Sequence, residues 1–142
     1  MEISDEVILR YQGFFENLTN DSVEQFRDLA ADNVRYRDPL MDSKGLNNVI
    51  LSMHKWFEDM DEIQFTLTKH AQADLVLFQH WTVKFRIKKL PKRLWELEGL
   101  STAAFDDSGR VVDQIDYWDT SPIFESIPVL GRAVWLIKFL LK

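Results

Sequence analysis

Asp38 stands directly before Pro39 at the end of a short extended run, Val34-Arg35-Tyr36-Arg37. Proline removes a ladder donor and pushes the preceding residue into an extended conformation, so the acid is expected at a strand end. A carboxylate held there beside an apolar cavity is a usable general base, because partial desolvation raises its proton affinity. Other reactive types are scarce. The chain has no Cys, which removes a thiolate nucleophile, a disulfide or a Cys-based metal site, and its three His lack H-x-x-x-H spacing. Proton transfer by a carboxylate asks for neither metal nor cofactor.

The elements that must position Asp38 are legible from periodicity. Ile3, Val7, Ile8, Tyr11, Phe14, Phe15 and Leu18 recur at helical spacing and predict an amphipathic first helix. Asn20-Asp21-Ser22 offers cap residues for a short second helix through Val23, Phe26 and Leu29. After Gly45, the residues Leu46, Val49, Ile50, Met53, Phe57 and Met60 predict a third helix to about Asp59. From Ile63 the period changes to two, with Ile63, Phe65 and Leu67, then Trp81, Val83, Phe85 and Ile87, each alternating with polar neighbours. Leu90-Pro91-Lys92-Arg93 reads as a turn, and Asp106-Asp107-Ser108-Gly109 as a tight hairpin before a last strand, Arg110 to Asp119. Residues 121–142 form a C-terminal extension, apolar but interrupted by Glu125, Arg132 and Lys138, too charged and short to span a bilayer. With no βαβ alternation, the order predicts an α+β class, three N-terminal helices followed by an antiparallel meander, as a single domain over 1–142.

Composition sets the outer limits. At 142 residues, with 46% hydrophobic and 13% aromatic residues, the chain can bury one sizeable core. A net charge of -6 opposes phosphate backbones and argues against nucleic acid as a partner. The acidic start, Met1 to Glu6, lacks the features of a signal peptide, and the absence of Cys fits a cytoplasmic protein.

A curved sheet encloses space on its concave face. Trp81, Phe85, Trp95 and Trp118 are bulky candidates for that face, whereas Gly99, Ser101 and Ala103 are small, and small beside large leaves room for an apolar ligand. Phe15 and Trp56 from the helices complete the expected lining. If Trp118 points inward, alternation turns Gln114 and Asp116 inward as well and directs Val111, Asp113, Ile115, Tyr117 and Asp119 outward.

Several of these segments fall in a recognisable order: Arg10-Tyr11, Arg37-Asp38-Pro39, Phe105 to Val111, and Asp116-Tyr117-Trp118-Asp119. Over residues 5 to 120 the chain resembles the nuclear transport factor two-like superfamily, within it the ketosteroid isomerase and SnoaL-like polyketide cyclase branch. The resemblance implies a cone-shaped, curved antiparallel or mixed sheet wrapped by the three N-terminal helices around the pocket, with Asp38 as general base and Tyr11 as donor to a dienolate oxygen. The neutral carboxylic acid that serves those isomerases as second oxyanion donor corresponds by position to Ser101, a weaker donor. An inward acid on the last strand, Asp116, resembles the cyclases and limonene epoxide hydrolase, though the hydrolase's Arg-x-Asp pair is missing from Leu97 to Ala103. The resemblance also implies a homodimer through the outer sheet face, including Leu100 and Ala104.

Plainer roles remain open for the same residues. Asp before Pro is a common turn cap, Tyr11 lies on a packing stripe, and Asp116 suits a structural acid as well as a catalytic one. His54, His70 and His80 fall on polar sides and are assigned no chemistry. The C-terminal helix has three possible seats: the protein itself, a neighbouring subunit, or a membrane surface with Arg132, Lys138 and Lys142 toward headgroups.

Overall fold

Six strands make one mixed sheet in the order β2-β1-β6-β5-β4-β3. The computed structural model describes residues Met1–Lys142. The strands are β1 (Ala30–Asp38), β2 (Met41–Lys44), β3 (Met60–Ala73), β4 (Val76–Ile87), β5 (Leu90–Phe105) and β6 (Val111–Trp118). The helices are α1 (Asp5–Glu16), α2 (Leu46–Asp59), α3 (Ser121–Glu125) and α4 (Pro128–Leu140). The class is the expected α+β, with α1 and α2 laid over one face of the curved sheet.

In α1, Ser4 caps the start by accepting the Val7 amide at 3.3 Å, and Asp5 and Glu6 in the first turn complement the helix dipole. Its stripe, Ile8, Tyr11, Phe14 and Phe15, is buried with Leu46, Val49, Ile50 and Met53 of α2 and with Val34 and Tyr36 of β1. This packed half fills one end of the sheet's concave face. At the other end a smaller group is buried, Trp81, Val83, Phe85 and Trp95, and the first three of these wall a cavity that the helices leave open.

Three local expectations are corrected and two are refined. The second helix is a 3-10 helix, Val23–Asp28, because Ser22 bonds back to Thr19 at 2.9 Å and leaves no side-chain cap for an α-helix. Asp38 ends β1 as expected, and Asp38-Pro39-Leu40 turns that strand into β2, with Asp38 paired to Met41. The β4–β5 turn lies at Lys88-Lys89, ahead of the expected Leu90 to Arg93, since Leu90 already pairs with Ile87. The meander β3 to β6 is antiparallel as expected, and the parallel pairing of β1 with β6 makes the whole sheet mixed, within the expected class. Val111 is buried, not outward, because the β5–β6 register shifts between Ala104 and Phe105 and reverses the alternation there.

The C-terminal extension also departs from packing on the protein. It forms two helices, and α4 packs on α3 while most of its apolar side chains stay exposed. No helix is long and apolar enough to cross a membrane.

Candidate functional site

The sheet register explains which side chains can meet. Ser101 on β5 is directly opposite Asp116 on β6, Gln114 is opposite both Tyr36 on β1 and Ala103 on β5, and Trp81 on β4 is opposite Gly99. These positions all face the concave side, so four adjacent strands converge on one carboxylate. The Asp116 Oδ1 atom accepts from Ser101 Oγ at 2.5 Å and from Gln114 Nε2 at 3.1 Å, and Oδ2 accepts from the Tyr36 hydroxyl. Behind these donors, Trp81 Nε1 donates to Ser101 Oγ at 2.7 Å, and the Tyr11 hydroxyl donates to Gln114 Oε1 at 2.6 Å. The buried polar groups thus satisfy one another in a chain that ends on Asp116.

Burial dominates the acid's proton affinity. Removal from water lifts Asp116 from 3.8 to about 6, against the opposing pull of the Ser101, Tyr36 and Gln114 hydrogen bonds, and the Asp38 charge adds to the rise. Tyr11 and Tyr36 are both held well above the ordinary phenol value, first by burial and then by the Asp116 charge. They remain proton donors.

Asp38 is half-buried at the β1–β2 turn. One carboxylate oxygen accepts the Leu40 amide at 2.7 Å, so the turn-capping role is present. Burial nonetheless raises its proton affinity, opposed by the Leu40 and Met41 amides. Neither neighbouring guanidinium neutralises it: Arg35 pairs with Asp42 and Arg37 with Asp113 on the opposite side of the strand.

Asp38 and Asp116 line a single cavity of about 430 Å³. Thirteen of its eighteen lining residues are hydrophobic, so the five polar ones decide what chemistry it can host. Trp56, Trp81, Phe85 and Trp118 are among the lining residues, as the sequence suggests, together with Ile63, Val83 and Leu97. Phe15, Tyr11, Ser101 and Gln114 sit deeper, around a small inner cleft between α1 and the sheet that also touches Asp116. The structure therefore joins Tyr11, Ser101, Gln114 and Asp116 directly, and sets Asp38 apart from Tyr11 at another part of the cavity wall.

Two expected lining residues fall elsewhere. A Cβ at Gly99 would lie 2.4 Å from the Trp81 indole, so the space the glycine leaves is filled by that ring rather than by a ligand. Trp95 is buried behind Phe85, stacked at 6.4 Å, with Arg93 over its other side at 3.6 Å. Three polar residues that sequence reasoning passed over also belong to the wall: Ser52, Lys55 and Asp59, one turn apart on α2. Tyr36 is the other omission, and alternation back from Asp38 through Val34 could have found it. No group of three His, Asp or Glu side chains is arranged to hold a metal ion.

Comparison with known proteins follows the same outline. Residues 11–114 match the model of the SnoaL-like domain. The chain belongs to the SnoaL-like family. Solved structures with the same fold include a candidate SnoaL-like polyketide cyclase from Jannaschia sp. CCS1, with a TM-score of 0.74 at 12% identity, covering 86% of this chain and 89% of that one. A protein with a ketosteroid isomerase-like fold from Catenulispora acidiphila, in complex with trimethylamine, gives 0.70 at 13% identity over 83% and 88% of the two chains. An LEH-like epoxide hydrolase from M. tuberculosis gives 0.65 at 13% identity over 94% and 90%. At such identities the likeness speaks for the fold alone. No curated protein matches the sequence.

Proposed function

We propose that the chain is a small-molecule enzyme of the isomerase or cyclase type, moving a proton next to a carbonyl inside its apolar cavity. The observation that carries this reading is the coincidence of acidity and place. The acids whose proton affinity is raised are Asp38 and Asp116, and both line the same cavity. Two carboxyls with unequal environments lose their protons at different pH, which is how one site supplies both a base and an acid.

Asp38, the less buried of the two, serves as the base and takes the proton from the carbon beside the carbonyl. Negative charge then develops on the carbonyl oxygen. Asp116, when it carries a proton, donates a hydrogen bond to that oxygen, and return of the proton from Asp38 to another carbon completes an isomerisation without net gain or loss. Tyr11 and Ser101 act through this acid rather than on the substrate: their hydroxyls are engaged with Gln114 and Asp116. They are positioning residues.

The test is turnover of a panel of enones, polycyclic ketones and epoxides by the natural protein, Asp38→Asn and Asp116→Asn. Ketone turnover that drops at least about a hundredfold in Asp38→Asn fits a general base. The same reading expects kcat/KM to decline above about pH 6, where Asp116 loses its proton. Equal turnover by the natural protein and Asp38→Asn would remove Asp38 as the base. Turnover of epoxides alone would move the reading to hydrolysis.

A second reading, a non-catalytic carrier of an apolar ligand, is favoured by one observation: both oxygens of Asp116 already accept hydrogen bonds from the protein. Ligand affinity unchanged in both Asn variants, with no turnover in any protein, would support it.

A further inference from the structure

We infer that α4 docks the protein on an anionic lipid surface. At about 100° per residue, Val129, Leu130, Leu136, Ile137, Leu140 and Leu141 fall within an arc of about 140° that contains no charged side chain. All six are exposed, Val129 by 84% and Leu141 by 81%. The edge of the helix beside that arc, with Gly131, Val134 and Lys138, is the one that meets α3. Gly131 lies there, so close that a Cβ would stand 2.2 Å from the Glu125 carbonyl oxygen. Lys138 Nζ lies beside it, 2.7 Å from Glu125 Oε1 and 2.8 Å from Ser121 Oγ. The seat on α3 thereby aims the apolar arc away from the body of the protein. An uncovered apolar surface of this extent on a water-soluble domain marks an interaction site.

Charge identifies what covers it. Residues 126–142 carry Arg132, Lys138 and Lys142 and no acid, whereas all 23 acidic residues lie before them; Lys138 is paired with Glu125, which leaves Arg132 and Lys142 as the cations open to a partner. The cations stand on the face opposite the apolar arc, with Trp135 and Phe139 stacked between them at 5.5 Å. An acidic protein surface covering the arc would leave these cations pointing away from it and gain nothing from them. A helix lying in a bilayer interface, with its arc at the acyl boundary, brings lipid phosphates around its polar face and places an indole at headgroup level. The acidic body is repelled by such a surface, which fixes the orientation with α4 toward the lipid. Because α3 both seats α4 and supplies Ile123 to the cavity wall, docking brings that wall close to the source of apolar ligands. The docking itself does not depend on the catalytic reading.

Flotation of the full chain with vesicles of phosphatidylcholine, alone or mixed with phosphatidylglycerol, tests this. The protein is expected to float with the mixed vesicles and to be released by salt. Arg132→Gln and Lys142→Gln are each expected to weaken partitioning about fivefold, and Ile137→Asp, exposed and so harmless to folding, to abolish it. Failure of the natural protein to float overturns the proposal, as does equal binding to both vesicle types. A chain that forms oligomers dissolved by Ile137→Asp, yet never floats, assigns the arc to a second copy and overturns it too. None of these readouts depends on turnover, so they separate from failure of the catalytic reading.

Discussion

Replacing Asp116 with Asn is expected to change how stability responds to pH. In the unfolded chain Asp116 loses its proton near 3.8, and in the folded protein near 6. Between those values the folded state binds the extra proton, so stability present at low pH is lost as pH rises toward about 6. This is the reverse of the usual behaviour of an Asp. The rise spans about two pH units, and at 1.36 kcal/mol per unit it is worth about 3 kcal/mol across the full titration. Asn cannot ionise, so its contribution is flat. Urea unfolding followed by tryptophan fluorescence, from about pH 4 to about pH 7, yields the difference in stability between the two proteins at each pH. Exposed acids such as Asp42 and Asp106, whose proton affinity is lowered, titrate alike in both proteins and cancel. The expected difference shifts in favour of the variant by about 2 to 3 kcal/mol over the range. A difference that stays constant within about 0.5 kcal/mol, or that moves toward the natural protein as pH rises, would refute the claim that burial outweighs the three hydrogen bonds on Asp116.

Gly99→Val forces a side chain into the Trp81 indole and is expected to lower stability by about 1–3 kcal/mol. Combining it with Trp81→Phe should recover part of that loss in the same unfolding assay. We further propose a dimer through the outer sheet face, where Phe78, Leu100 and Tyr117 are exposed. Light scattering should give twice the chain mass, falling to one for Leu100→Lys, and a monomeric natural protein would end that proposal.

Much of the fold was legible because its periods are clean. The stripe of α1 and the alternation of β4 each need only local spacing, and the strand-end place of Asp38 follows from one proline. Asp116 was reachable by counting back from Trp118. What escaped depended on partners distant in sequence. Alternation from Asp38 turns Tyr36 inward, but nothing local in Ala30 to Asp38 says that β1 will lie parallel to β6, so its partner Asp116 could not be read. Gly99 and Trp81 were each read correctly as small and large, but only register shows that one fills the other's space. Val111 was misplaced because a bulge breaks the period of two, and residue types alone do not reveal where the extra residue goes. Tyr11 was set against Asp38 by resemblance, whereas packing engages it with Gln114.

The parallel pairing of β1 with β6 also bears on the order of assembly. Strands β3 to β6 are successive hairpins whose contacts close short loops, while the Tyr36 to Asp116 contact spans 80 residues. Loop-closure entropy makes that union the slow one. A growing chain can complete the meander only as β6 emerges, and β1 must be kept from other strand edges until then. Until β1 docks on β6, Asp116 lacks the Tyr36 hydroxyl and the cover of that strand, so its raised proton affinity is a product of the last union in the sheet and not of the meander alone.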